Sequence, residues 1–263
     1  AGVVLAGGAA RFNVPSRTVT LRQGEATCGI GSGITAGATA EGEWAEWANK
    51  ARFLEQASRP FQLLQTMRVQ DGEACALELH LDRLAAAAAH FGFAFDLQQA
   101  RRQVDAGVGA RSGEARARIT VNLRGSIGVD ITDIPHTPNG LLEVALAGHA
   151  ISAAPAFLRH KTTRREHYER FVPVGPEIFD TLLWNERGEV TEFTRGNVIL
   201  EMSDGTRVTP PLDSGLLDGV GRACELAAGR VHERVVRVGE LPQVRRLWFV
   251  NALRGLREVK LTP

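Results

Sequence analysis

Apolar and polar positions change period several times along the chain. Residues 17–21 alternate, pause at Gln23-Gly24-Glu25, and resume over 26–35 through Gly29, Gly31 and Gly33. Two such runs about a turn predict a β-hairpin. From about 41 to 57 the spacing lengthens to that of a helix and places Glu43, Glu46 and Lys50 on one face. Residues 57–60 predict a linker, because Pro60 disfavours helical geometry in the residue before it. The pattern then predicts a strand over 61–69, a turn over 70–73, a short strand over 74–77 and a Leu/Ala-rich helix over 78–91, capped at Gly92. A second helix is predicted over 97–107. Strand patterns follow at 116–122, 127–131 and 141–147, a short helix at 162–171, and strands at 178–185, 190–193, 198–202 and 207–209. A helix at 219–229 and strands at 231–238 and 247–251 complete the series. Helices come early and strands late, which is an α+β arrangement. No GxGxxG joins a strand to a helix after residue 60, which argues against a doubly wound dinucleotide fold.

Composition narrows the classes. The 263 residues suit two small domains or one large one. With 31 basic against 30 acidic residues, the net charge of +1 lacks the basic excess of a nucleic-acid footprint. No run of about 18 apolar residues is present, so no transmembrane helix is expected. The three cysteines, Cys28, Cys75 and Cys224, form no CxxC pair, which favours a reducing cytoplasm over a disulfide framework or zinc site. The opening AGVVLAGGAARFNV has no initiator Met and no secretory pattern, and reads as the middle of a domain.

Only three of the basic residues are lysines: Lys50, Lys161 and Lys260. Arginine stays protonated and forms no imine, whereas lysine can act as nucleophile and proton carrier. Lys161 lies in Arg159-His160-Lys161-Thr162-Thr163-Arg164-Arg165, where like charge would disfavour its ammonium form. The same run also reads as a basic surface helix. Glu192, in the strand-turn Val190–Val198, reads on its own as a loop carboxylate. The small residues 213–222 open a helix whose free amides suit a phosphate. The Glu43/Glu46/Lys50 stripe reads either as a solvated face or as a metal or anion site.

Taken in order, His80-Leu-Asp-Arg83-Leu84, Lys161, the segment VTEFTRGNVI at 190–199 and LLDGVGR at 216–222 resemble the class IV, branched-chain aminotransferase-like pyridoxal-phosphate enzymes. The resemblance spans about 61–261. It implies a small α/β domain over 61–140 and a larger, mostly β, cofactor-binding domain over 141–263. It also implies pyridoxal 5'-phosphate held covalently by Lys161. Arg83 and the backbone of Val220 and Gly221 would bind its phosphate, Glu192 would pair with the pyridine nitrogen, and Asn197 would lie beside it. A carboxylate there keeps the ring protonated as an electron sink, and an arginine fork suits phosphate. Two departures stand out: Gly221 occupies a position where the family often has Thr, and no FGDG-type hairpin precedes Phe61.

The first 57 residues carry a second resemblance. SRTVTL, GIGSGIT and EGEWAEWANKARF are similar to the C-terminal end of the chorismate-utilising component I of aminodeoxychorismate synthases. There Glu43 and Glu46 would hold Mg²⁺ in an intact synthase domain, and Lys50 and Arg17 would face substrate. Mg²⁺ needs near-octahedral oxygen coordination, which two carboxylates cannot supply, so no synthase activity and no metal site are expected in this chain. Within class IV, the segment 61–72 and Val250-Asn251-Ala252-Leu253-Arg254-Gly255 resemble 4-amino-4-deoxychorismate lyases, with an aminotransferase as the alternative. That resemblance implies a substrate with two carboxylates and a role in folate biosynthesis. Arg68, Arg164 and Arg254 are the candidate partners, with Thr66 and Asn251 also on the substrate side and His80 and His160 structural. A homodimer, and a glutamine amidotransferase subunit for a full-length fusion, are the implied protein partners.

Overall fold

The computed structural model describes residues 2–5, 7–12, 18–109, 111–152, 156–173, 175 and 177–262. The chain divides into two compact units, Ala1–Pro60 and Phe61–Pro263.

In the first unit, strand β1 (Gly2–Val4) pairs antiparallel with β2 (Ala10–Phe12), and β3 (Val19–Arg22) with β4 (Glu25–Cys28). Helix α1 (Ala40–Ser58) begins at Thr39, whose side chain accepts the Gly42 N–H at 3.1 Å. The expected second strand over 26–35 stops at Cys28. Glycine at 29, 31 and 33 leaves no side chains to pack on a pleated surface. Arg17 falls outside the described residues.

The second unit begins with β5 (Leu63–Gln70) and β6 (Glu73–Ala74). They are joined by Asp71-Gly72, both at positive φ as a two-residue hairpin turn demands. Helices α2 (Leu77–Phe91) and α3 (Leu97–Val108) follow, then β7 (Glu114–Val121) and β8 (Ile127–Thr132). Gly92, at positive φ, ends α2. The four strands form an antiparallel sheet in the order β6-β5-β7-β8. Strand alternation divides its faces. Leu63, Met67, Val69, Ala115, Ala117 and Ile119 are buried together with Leu84, Ala88 and Val104 of the helices. The alternate positions of β5 and β7, among them Thr66, Arg68, Arg116 and Arg118, take the other face, with Thr66 opposite Arg118 and Arg68 opposite Arg116.

The remaining elements are β9 (Leu142–Leu146), the one-turn helices α4 (Ala156–Arg159) and α5 (Glu166–Glu169), β10 (Ile178–Trp184), β11 (Val190–Phe193), β12 (Asn197–Glu201), β13 (Arg207–Thr209), α6 (Val220–Ala227), β14 (His232–Glu233), β15 (Arg246–Asn251) and β16 (Gly255–Thr262). The eight strands make a mixed sheet in the order β11-β10-β9-β16-β15-β12-β13-β14. Because β11 also pairs with β12, six of them close into a ring, which leaves β11 without an exposed edge. Its core includes Leu182, Phe193, Val198, Leu200, Phe249 and Val259.

Several predicted elements require correction. The helix expected over 162–171 is only one turn, because the residues before it join the first sheet instead. Leu64 N–H donates to the Lys161 carbonyl at 2.9 Å, and Thr163 N–H to the Gln62 carbonyl at 2.9 Å. The strand expected over 231–238 is two residues long, followed by a 3₁₀ segment over Val238–Gln243. Strand β16, between β9 and β15, was not anticipated. Arg257, Glu258 and Lys260 mask its alternation, while Val259 is buried.

Leu84 is fully buried between α2 and the first sheet, whereas Leu79 on the same helix is 40% exposed. Leu84→Ala should therefore lower unfolding stability by about 2–5 kcal/mol. Leu79→Ala should change it by less than about 0.5 kcal/mol. Urea unfolding of the two variants checks the difference.

Candidate active site

A cavity of about 440 Å³ opens within the second unit, and residues distant in sequence converge on it. The arginine-bearing face of the β5/β7 sheet forms one wall. The bridge to β5 brings in Lys161, and the β11–β12 hairpin brings in Glu192 and Asn197. The start of α6 and the turn after β15 complete the lining.

The hairpin explains the carboxylate. Glu192 and Asn197 are register partners, and Phe193 N–H donates to the Gly196 carbonyl at 2.7 Å across the tip. A Cβ on Gly196 would lie 2.6 Å from the Phe249 ring, so only glycine lets the tip press against β15. Glu192 is buried and accepts from Tyr168 Oη at 2.6 Å, Leu217 N–H at 3.2 Å and Asn197 Nδ2 at 3.4 Å. Burial drives its pKa up to about 7, against the lowering influence of the Tyr168 and Leu217 hydrogen bonds and of Arg165 and Lys161. The same burial, with Glu192 beside it, holds Tyr168 well above its ordinary pKa and keeps it a donor.

Lys161 is the complementary group. Burial brings its amine down to about 7; Arg83 and Arg165 push the same way and Glu192 opposes them. The reason differs from the one its neighbours in sequence suggested. Desolvation dominates, and of the surrounding basic run only Arg165 contributes. Arg159 pairs with Asp213 at 3.5 Å, and the Arg164 guanidinium sits 4.9 Å from the Phe157 ring centroid.

Arg83 also lines the cavity. Its NH1 donates to the Asp218 carbonyl at 2.8 Å, which sets it beside the first turn of α6. Its Nε donates to Gln65 Oε1 at 3.2 Å, and the same oxygen accepts from the His80 ring at 3.0 Å. Burial pulls Arg83 down to about 10 and His80, also repelled by Arg83 and Lys161, down to about 3. His80 is thus a neutral buried ring. Gly219 leaves α6 without a side-chain cap, so its first amides remain available to an anion. Val220 lines the cavity. Gly221 packs behind it, where a Cβ would meet the Asn251 backbone at 2.8 Å, so the family's threonine would not fit against this turn.

The substrate-side candidates separate. Thr66, Asn251 and Arg254 line the cavity. Asn251 is committed to the turn: its Oδ1 accepts from Leu253 N–H at 3.0 Å and Arg254 N–H at 2.7 Å, and its Nδ2 donates to the Arg195 carbonyl at 3.0 Å. Arg68 and Arg164 are not among the lining residues. Arg68 is held by Glu114 at 3.3 Å and the Leu253 carbonyl at 3.2 Å, and Arg164 by Phe157. His160 stacks on His90 with 4.2 Å between ring centroids, outside the lining. Arg116, Arg118, Arg165, Tyr168 and Arg195 were overlooked. Alternation in Ala115-Arg116-Ala117-Arg118-Ile119 carried a signal for the first pair, and Tyr168 is the chain's single tyrosine.

In the first unit, Glu43 accepts from Ser32, whose Oγ also receives Trp47 Nε1 at 2.7 Å. Lys50 pairs with Glu46 at 2.5 Å and donates to the Gly31 carbonyl at 2.9 Å. No group of three or more metal-ligating side chains occurs among the described residues. No helix among them is long and apolar enough to cross a membrane.

The Lys161 shift carries a sign for stability. The amine is neutral in both states above pH 10.5. Between 10.5 and about 7 only the unfolded chain takes up the proton, so folding is increasingly penalised as the pH falls. Lys161→Met should therefore gain stability relative to the parent between pH 10 and pH 7, in urea unfolding of the cofactor-free proteins. An equal difference at both pH values would contradict the depressed amine.

Comparison with known proteins agrees with this geometry. Residues 62–262 match the family described as amino-transferase class IV, and residues 1–56 match that of chorismate binding enzymes. A Schizosaccharomyces pombe relative described as "Putative aminodeoxychorismate lyase" is 29% identical over 168 residues, 62% of this chain and 72% of that protein. Among solved structures, a "Putative amino-acid aminotransferase" from Mesorhizobium loti superposes with a TM-score of 0.71 at 33% identity, covering 77% of this chain and 100% of that one. The 4-amino-4-deoxychorismate lyase of Pseudomonas aeruginosa does so at 0.64 and 22% identity, over 76% and 82%, a likeness of fold alone. This chain belongs to the class IV aminotransferase family, whose fold implies pyridoxal phosphate, and carries a fragment of a chorismate binding enzyme ahead of that domain.

Proposed function

We propose that the chain is a pyridoxal-phosphate-dependent 4-amino-4-deoxychorismate lyase that releases pyruvate and forms p-aminobenzoate. The residues present suit the cofactor. A lysine amine near neutrality and a buried carboxylate with three donors line one cavity, and Arg83 lies beside an uncapped helix start. Arg83 and the amides of Val220 and Gly221 would hold the phosphate, Glu192 the ring nitrogen, and Lys161 the aldehyde carbon. When bound, the cofactor supplies an electron sink for a carbanion next to the substrate's amine.

The chain's own groups supply the rest. Nζ of Lys161 takes the proton from C4 of the substrate, a task suited to an amine with a pKa of about 7. As the ring C–O bond breaks, the same nitrogen returns a proton to the methylene of the departing enolpyruvyl group. That gives pyruvate and leaves an aromatic ring, with no proton gained or lost overall. Tyr168 and Leu217 hold the Glu192 carboxylate in place throughout.

The observation that favours the lyase is the chorismate-binding match in the same chain, since it associates this class IV body with chorismate-derived substrates. The Schizosaccharomyces pombe relative supports the same choice. The second reading, a class IV aminotransferase, is favoured by the likeness to the Mesorhizobium loti protein.

Supplied with pyridoxal phosphate and aminodeoxychorismate, the purified chain should form equimolar p-aminobenzoate and pyruvate. Lys161→Ala should lower the rate by at least about a thousandfold and abolish the visible absorption of lysine-bound cofactor. Keto-acid formation from amino acids, without p-aminobenzoate, would instead support the aminotransferase.

A further inference from the structure

The cavity carries far more positive than negative charge. Six arginines and Lys161 line it, against the single carboxylate of Glu192. Three of the arginines are already engaged. Arg83 is held by Gln65 and the Asp218 carbonyl, Arg195 by Asp180 at 3.1 Å, and Arg165 by the Thr194 carbonyl and the Tyr168 ring. Arg68, next along the same sheet face, is neutralised by Glu114 outside the lining. The remaining three have no acidic partner among the described residues. Arg116 uses only Nε, on Thr132 Oγ1 at 3.0 Å, and Arg254 uses only Nε, on Thr137 Oγ1 at 2.9 Å. The Arg118 side chain makes no hydrogen bond or ion pair among the described residues.

We propose that Arg116, Arg118 and Arg254 form a clamp for two carboxylates, which selects a dianionic substrate over a monoanionic amino acid. The sheet fixes the spacing. Arg116 and Arg118 are two apart on β7 and rise from one face about 7 Å apart. Arg254 comes from the turn between β15 and β16, which Asn251 holds rigid. Each guanidinium presents two free terminal nitrogens, the fork that matches a carboxylate. Burial first, and then Arg195 and Arg116, pull the Arg254 pKa below its ordinary value, with Asp180 opposing them. Arg118 is also close enough to Lys161 to help depress its amine, so the clamp adjoins the reacting group. A monocarboxylate would leave part of this charge uncompensated, which rejects the wrong ligand as well as favouring the right one. The assignment of the dianion to the lyase substrate rests on the function proposed above.

The test uses the cofactor-loaded full chain and two probes that lack the reacting amine: chorismate, with two carboxylates, and benzoate, with one. Calorimetry should find chorismate bound at least about tenfold more tightly, as one extra charge-assisted contact provides. Arg118→Gln and Arg254→Gln should each erase that preference, and Arg118→Lys should restore only part of it. Each Gln variant should also raise KM for aminodeoxychorismate by at least about tenfold and change kcat by much less. Arg101→Gln, on the outer helix α3 and paired with Glu78, should do neither. Unchanged cofactor absorption verifies that the variants are folded. Equal binding of the two probes by the parent, or a preference that survives both Gln substitutions, would overturn the clamp. If the preference holds and is lost in the variants while no p-aminobenzoate forms, the clamp stands and the lyase reading fails. If p-aminobenzoate forms with KM unchanged in the variants, the lyase reading stands and the clamp fails.

Discussion

A carboxylate withdrawn from water, with an amine beside the same cavity, is the constraint around which the second unit is arranged. Glu192 is tolerable there only because Tyr168, Leu217 and Asn197 donate to it and because Lys161 and Arg165 lie near. Each of those donors depends on a different part of the chain. The β11–β12 hairpin puts Asn197 in register, the closed ring presses the hairpin tip onto Phe249, and the one-turn helix α5 carries Tyr168. Glu192 therefore ties ring closure to the cavity. The strand pairing that closes the ring is the pairing that holds the carboxylate.

Lys161 reaches the cavity by a different device. Its carbonyl joins the start of β5, so the segment carrying the amine is anchored to the first sheet while Glu192 belongs to the second. The two groups thus come from the two sheets of the unit, and both line the cavity. Arg83 follows the same pattern. It rises from α2 of the first sheet's layer but bonds to the carbonyl of Asp218, just before α6.

The excess of guanidinium groups gives the cavity its positive character. Arginines that have partners inside the fold shape the walls, and the others are the groups of the proposed clamp. Like charges gathered in one cavity repel each other, and the same arrangement suits ligands that carry negative charge.

Much of the architecture was legible in the linear pattern. The 3.6-residue periodicity and glycine cap outlined α2, the alternation of apolar residues outlined β5, β7 and β12, and the ordered motifs pointed to Arg83, Lys161, Glu192 and the start of α6. Those features depend on local chemistry, on caps, turns and residue type. Strand β16 was hidden because its exposed face is charged, and the segment at 161–163 became a bridge because β5 offered it hydrogen bonds. Arg116 and Arg118 were visible as residues but not as cavity walls, and Arg68 and Arg164 found partners elsewhere. Which basic groups are neutralised and which face the cavity is a property of long-range packing. So is the lowering of the Lys161 pKa, which follows mainly from burial and from Arg83, far away in sequence. Sequence alone determined which groups could do the chemistry. Tertiary structure decided which of them meet and which are left charged without a partner, because burial and distance arise only once the sheets close.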